Sequence, residues 1–145
     1  MTDTTTLQAR LEALTVAEDG AGRFDLVVDP AAATAVGQAL AERAREQNPT
    51  VVLSWAGEDD IVLAHIVASE LGVPRAVVEL DLGLITVSRA LPEGSRAVLV
   101  APQFSAERPV ASIATMLGTR GHTLVLAAAL ADGYDSDDVP FITLS

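Results

Sequence analysis

The feature that most constrains this chain is a regular alternation of short apolar runs with longer stretches of helical spacing. Apolar runs lie at 51–55, 75–80, 96–101 and 122–131. Stretches with apolar residues at helical spacing precede or separate them, at 30–47, 59–71 and 109–120. Alternation of this kind predicts an α/β fold in which helices cover both faces of a doubly wound, mostly parallel sheet.

Shorter elements flank this repeating core. We expect a helix over 6–17, a strand over 23–28, a hairpin excursion over 82–87 and a closing strand over 140–144. Asp29 and Pro30 are typical of a helix N-cap followed by a first-turn proline. At 145 residues the chain has the usual length of one domain. The acidic segment 132–138 is expected to be a solvated loop.

The charge of the chain restricts its partners and its chemistry. The net charge is −11, and every basic side chain other than histidine is an arginine. A chain this acidic repels nucleic acid and anionic membranes, so we expect neither as a partner. Without lysine or cysteine, Schiff-base and thiolate chemistry are excluded. The N-terminus has no signal-peptide pattern, so we expect a cytoplasmic protein, and the Arg- and Ala-rich composition suggests a GC-rich bacterial genome.

Several turn motifs in the core resemble those of one enzyme family. A Gly-Val-Pro turn at 72–74 ends the second core helix, and a Pro-x-Gly-x-Arg turn at 92–96 leads into Val-Leu-Val at 98–100. A glycine, Gly121, ends the following helix. In this order the pieces resemble the type I phosphoribosyltransferases, the orotate branch above all. The resemblance implies a core over 50–131 and a small hood built from 1–30 and 132–145.

The residues that the resemblance assigns to the phosphoribosyl pyrophosphate loop differ from the family pattern. The family has two adjacent acids that contact the ribose hydroxyls, then hydroxyl residues and a glycine that opens a phosphate site at a helix start. The corresponding positions hold Ala101, Pro102, Ser105, Ala106, Glu107, Arg108 and Pro109. Glu107 puts a carboxylate where the 5′-phosphate belongs, and Pro109 removes one N–H donor.

The pyrophosphate loop is altered in the same sense. Two family glycines before the helix correspond to Asp59 and Asp60, which follow Gly57 and Glu58. The helix macrodipole stabilises three acids at a helix start. Those acids then occupy the positive end that would otherwise attract pyrophosphate. The mobile catalytic loop of orotate-type enzymes corresponds to the short segment 79–83, which has no lysine.

Alternative roles remain open for several of these residues. Glu58, Asp59 and Asp60 suit a divalent metal, although caps or a solvated face are the favoured interpretation. Ser105 is a better N-cap than a nucleophile, because no Gly-x-Ser-x-Gly motif surrounds it. Trp55 either stacks on a ligand base or covers the core, which we favour. The two histidines, His65 and His122, are too far apart in sequence to suggest a metal site, and Arg108 is expected at the surface.

These observations predict a catalytically inactive relative of the phosphoribosyltransferases, with a regulatory, ligand-binding or protein-interaction role and no cofactor. The expected partner is a second copy or a related phosphoribosyltransferase. The alternative is an active transferase with an atypical donor site, in which Asp59, Asp60 and Glu107 hold magnesium.

Overall fold

A central six-stranded sheet organises the molecule. The computed structural model describes residues 4–18, 21–104, 110–131 and 139–144. The spatial strand order is β5-β4-β3-β6-β7-β8, and only β5 runs antiparallel to its neighbour. The strands are β3 (Val51–Trp55), β4 (Arg75–Asp81), β5 (Leu84–Val87), β6 (Arg96–Ala101), β7 (Thr123–Ala129) and β8 (Phe141–Thr143).

Helices cover both faces of this sheet. On one face, α2 (Pro30–Ala44) and α3 (Glu58–Leu71) pack over the sheet in one buried cluster with strand residues such as Val52 and Val98, and α1 (Thr4–Leu14) joins this cluster by packing on α2. On the other face, α4 (Val110–Thr119) packs against Leu53 and Leu99. Successive strand residues therefore enter different cores, as the period of two in a strand requires. The α/β class, the mostly parallel sheet and the antiparallel hairpin are confirmed.

The N-terminal segment differs from the prediction. The helix predicted over 6–17 ends at Leu14, and β1 (Thr15–Glu18) pairs with β2 (Ala21–Phe24) in an antiparallel hairpin. Threonine and valine follow Leu14, and β-branched residues favour strands over helices. The strand predicted over 23–28 ends at Phe24 because the Asp25 carboxylate accepts the Val27 N–H (3.1 Å), which closes a turn.

Two glycines determine where α3 ends and how closely it packs against α2. Gly72 ends the helix with a φ of +70°, a conformation that suits glycine, and its N–H bonds to the Ser69 carbonyl oxygen. Gly37 of α2 lies against Ile66 of α3, and a Cβ at this glycine would come within 2.8 Å of the Ile66 Cβ. The small residue therefore allows the two helices to approach closely.

The two ends of the sheet are defined by the parallel strands. We call the end where β3, β4 and β6 finish the carboxyl edge, and the end where they begin the amino edge. After β3 the chain crosses through α3 to β4 on one side, whereas β6 lies on the other side. The carboxyl ends of β3 and β6 thus flank the switch point, where open α/β sheets bind ligands. None of the helices in the described part of the chain could span a lipid bilayer.

Candidate functional site

The switch point brings together the loops after β3 and β6. Because β3 and β6 are parallel neighbours, the segments that follow them, 56–60 and 102–104, both lie at the carboxyl edge. The first of these segments contributes Gly57, Glu58, Asp59 and Asp60 to the candidate site. The predicted donor loop, Ser105 to Pro109, lies outside the described residues, as does the acidic segment 132–138. The described site is therefore the first turn of α3 with its surroundings.

Asp59 is tied to the N-terminal segment. Its Oδ1 accepts a hydrogen bond from the Leu26 backbone N–H (2.8 Å), in a partly buried setting. Leu26 itself is fully buried, at 1 % exposure, so this N–H would lack access to water without the carboxylate. The acid at this position therefore fixes the 25–28 turn on the start of α3.

The neighbouring acids are placed differently. Glu58 is exposed, whereas Asp60 is buried at 6 % exposure, and Gly57 occupies the N-cap position of α3. All three acids belong to the first turn of α3, at the positive end of its dipole. An incoming anion would meet negative side chains where backbone N–H groups alone make a favourable phosphate site.

The loop after β6 is anchored to the adjacent strand end. The Pro102 carbonyl oxygen accepts hydrogen bonds from the N–H groups of Leu130 (3.1 Å) and Ala131 (3.4 Å). Ala101, which precedes Pro102, is buried at 1 % exposure. Neither side chain carries a polar atom, so this part of the edge offers no carboxylate to a ribose diol.

The hairpin beside the site ends in a tight turn. Asp81 pairs with Leu84, so only Leu82 and Gly83 connect β4 to β5. Both have positive φ, +50° and +80°, as a two-residue hairpin turn of type I′ requires. Leu82 is 96 % exposed. The segment that the resemblance equates with a mobile catalytic loop is thus a short turn without a basic side chain.

Trp55, His65 and His122 lie in three separate places and do not form a common site. Trp55 is 4 % exposed and belongs to the core on the α4 face, and its role in a pocket stays a prediction. His65 Nδ1 accepts a hydrogen bond from Arg75 Nε (3.3 Å), and His122 Nδ1 accepts the Ser95 N–H (3.3 Å). Among the described residues, no three acidic or histidine side chains come together to hold a metal ion.

Solved structures with the same architecture reveal which fold this is. Adenine phosphoribosyltransferase from Saccharomyces cerevisiae superposes with a TM-score of 0.76 at 15% identity, covering 97% of this chain and 99% of that one. The fold is that of the type I phosphoribosyltransferases. Orotate phosphoribosyltransferase from Aeropyrum pernix also matches, with a TM-score of 0.70 at 19% identity, over 97% of this chain and 91% of that one.

A third example extends the likeness. Adenine phosphoribosyltransferase from Thermoanaerobacter pseudethanolicus has a TM-score of 0.75 at 14% identity, covering 94% of this chain and 97% of that one. No family model and no curated protein sequence matches the chain. The phosphoribosyltransferase fold is thus shared over nearly the whole domain, while the sequences have diverged widely.

Sequence reasoning missed two features, one at this site and one at the opposite edge of the sheet. The Asp59 bond joins residues 33 positions apart, and no local pattern signals such a contact. The second is an arrangement of basic residues at the amino edge, where Arg75, Arg89, Arg120 and the two histidines lie near the starts of β4, β6 and β7. These residues are scattered in sequence, and only the sheet topology assembles them.

Proposed function

We propose that this protein is a phosphoribosyltransferase-like protein without transferase activity, acting in the cytoplasm as a ligand-binding, regulatory or protein-interaction partner. The first turn of α3 is the observation that carries the proposal. Glu58, Asp59 and Asp60 stand at the switch point, where an anionic donor would have to bind. Their charges oppose it.

The size of that opposition follows from Coulomb's law. Two unit charges ~4 Å apart repel by about 1 kcal/mol in water and about 4 kcal/mol at an effective dielectric constant of 20. A diphosphate carries several negative charges, so even the lower value weakens binding substantially. Because Asp59 is held by the Leu26 N–H, it is not free to swing aside.

The rest of the carboxyl edge supports the same proposal. The hairpin turn has two residues, and the chain contains no lysine that could reach a leaving pyrophosphate. Ala101 and Pro102 stand where the resemblance implies the ribose-binding acids. Three separate parts of a donor site are therefore altered at once.

Isothermal titration calorimetry with phosphoribosyl pyrophosphate and magnesium tests the proposal. We expect no heat of binding, and no pyrophosphate release when nucleobases are added. Donor binding with pyrophosphate release would overturn the proposal in favour of an active transferase with an atypical site. The predicted magnesium arrangement includes Glu107, outside the described residues, and stays a prediction.

A double variant tests whether the charge of the acids, rather than the shape of the site, prevents anion binding. Glu58→Gln with Asp59→Asn removes two charges, while the amide oxygen introduced by the second substitution can still accept the Leu26 N–H. Each charge removed at ~4 Å is worth about 1 kcal/mol in water, or about fivefold in affinity. We expect this variant to bind pyrophosphate measurably where the native protein does not. Equal absence of binding would mean that charge is not what closes the site.

Size-exclusion chromatography with light scattering measures the molar mass and so tests the proposed oligomeric state. We propose a homodimer or a complex with a related phosphoribosyltransferase, and co-purification from the native cytoplasm would reveal either. A monomer that recovers no such partner would remove the interaction role and leave ligand binding.

A further inference from the structure

We propose that the amino edge of the sheet holds a ligand site for a small organic anion, with an oxyanion group on an apolar body. The site is a cavity of about 330 Å³ beneath the end of α4. It lies at the opposite end of the sheet from the carboxyl edge and does not depend on the function proposed there. Its lining combines apolar side chains with three polar ones, Arg89, Arg120 and His122.

The size and lining suit a small ligand. Ligand pockets usually occupy about 300–1,000 Å³ and combine apolar walls with a few placed polar groups. This cavity lies at the lower end of that range. Its apolar walls come from the end of the hairpin and the last turn of α4: Val87, Leu91, Met116 and Leu117.

The charge of the lining is the reverse of the charge of the chain. The protein has 20 acidic residues and nine arginines. Two of those arginines, Arg89 and Arg120, line the cavity with His122, and the described lining contains no aspartate or glutamate. Glu93, the nearest acid along this connection, is exposed and is not part of the lining. A local positive potential in an acidic protein attracts anions to this place.

Two of the three polar groups are held in position. The Ser95 N–H donates to His122 Nδ1 (3.3 Å), so the proton of the neutral ring is on Nε2, which is then a donor. Arg120 Nη2 donates to the Ile85 carbonyl oxygen (3.4 Å), which leaves its other N–H groups for a ligand. Groups oriented before binding lose less entropy when a ligand arrives.

Arg89 supplies donors that the described residues do not use. It is exposed, and its guanidinium donates no hydrogen bond within the described part of the chain. It also lines a second cavity of about 400 Å³, with His65 and Arg75, on the far side of the same connection. The first cavity has the apolar walls that an organic anion requires, whereas the second is more polar.

The chain's two histidines make the site directly observable by NMR. Imidazole resonances are recorded during titration with phenyl phosphate at constant ionic strength, which holds counterion screening fixed. We expect the His122 signals to shift saturably, with those of His65 unchanged. Phenyl phosphate should bind about tenfold more tightly than inorganic phosphate, because its ring fills the apolar walls. Phenol, which lacks the charge, should not shift His122.

Matched variants assign the contacts. Arg120→Gln should weaken phenyl phosphate binding at least about tenfold, since a charged hydrogen bond is lost. The control is Arg45→Gln, because Arg45 is also exposed and donates through Nη2 to a backbone carbonyl oxygen, that of Glu70. It should bind as the native protein does. His122→Asn keeps an acceptor for the Ser95 N–H but lacks the distal donor, and we expect weaker binding with the fold retained.

Four results would overturn the proposal. One is a His122 shift that does not saturate or that equals the shift with chloride, which would mean counterion binding only. Another is a shift of His65 without His122, which would place the anion in the neighbouring cavity. The third is equal loss in Arg45→Gln and Arg120→Gln. A change in Trp55 fluorescence without a His122 shift would likewise place binding at the carboxyl edge.

Discussion

Two groups of side chains at opposite edges of one sheet differ in charge. At the carboxyl edge, the first turn of α3 contributes Glu58, Asp59 and Asp60, and the hairpin tip adds Asp81. At the amino edge lie basic side chains from β4, from the connection after β5 and from the residues around the start of β7. They are Arg75, Arg89, Arg120 and His122. The switch point lies at the acidic edge.

This difference shows that the position of a ligand site and the ligand it accepts have separate causes. Strand order and parallel direction place a ligand edge at the carboxyl ends of β3 and β6, whatever residues stand there. The residues then decide what is admitted. We propose that the edge that topology makes available repels anions and that the opposite edge binds them. A shared phosphoribosyltransferase fold does not by itself establish phosphoribosyl chemistry, which depends on the residues at the site.

The largest expected effect concerns α3, which begins at the acidic edge and runs toward the basic one. Gly37→Ala places a Cβ within 2.8 Å of the Ile66 Cβ, so the helices must separate. We expect a loss of about 1–3 kcal/mol in the free energy of unfolding, measured with urea. Gly118→Ala is the control, because its Cβ meets nothing within 4 Å and a helical alanine stabilises by about 0.5–1 kcal/mol. If both variants are equally stable, close packing does not position α3.

Next in size is the contact that holds the acidic edge. Asp59→Ala leaves the buried Leu26 N–H without its acceptor, and we expect a loss of about 1–2 kcal/mol in urea unfolding. Asp59→Asn should retain most of the stability because the amide oxygen still accepts. Glu58→Ala, in the same turn but exposed, should change stability by less than about 0.5 kcal/mol. Equal losses for Asp59→Ala and Glu58→Ala would contradict the role given to the bond.

A smaller effect distinguishes two arginines near the amino edge. Arg96 Nη2 donates a hydrogen bond to the Gln47 carbonyl oxygen (2.6 Å). Its Nε donates to the carbonyl oxygens of Gln47 and Asn48 (both 3.2 Å). Arg96→Gln should therefore lose about 0.5–1.5 kcal/mol in urea unfolding. Arg89→Gln, with no described partner, should unfold like the native protein yet bind phenyl phosphate less tightly. Loss of stability in Arg89→Gln would show a structural role instead.

The smallest effect is at the hairpin tip. Leu82 has a φ of +50°, which costs a leucine more than an asparagine, and its side chain is exposed. Leu82→Asn should stabilise the protein by about 0.5 kcal/mol, read as a rise in thermal midpoint. A fall would mean that the leucine makes a stabilising contact.

Local patterns predicted most of the sheet. The apolar runs at 51–55 and 96–101 coincide with β3 and β6, and Asp29 caps α2 through the Ala32 N–H as the Asp-Pro pair indicated. The hairpin over 15–24 was missed, because Leu7, Leu11 and Leu14 continue a helical stripe up to the point where β-branched residues end it. Periodicity reports burial along one element and says little about where that element stops.

The site was harder to predict for a physical reason. The acids after β3 are visible in the sequence, and their position at a helix start follows from the pattern. The bond from Asp59 to Leu26 and the convergence of Arg89, Arg120 and His122 depend on the packing of distant segments. No spacing rule encodes such contacts.

The central claim is that the acidic edge excludes the phosphorylated donor of related folds. It is tested most directly by backbone amide NMR during titration with phosphoribosyl pyrophosphate and magnesium. We expect the amide signals of 57–61 and of Trp55 to remain in place at all donor concentrations. Saturable shifts of those signals would show a donor seated at the start of α3 and would contradict the account.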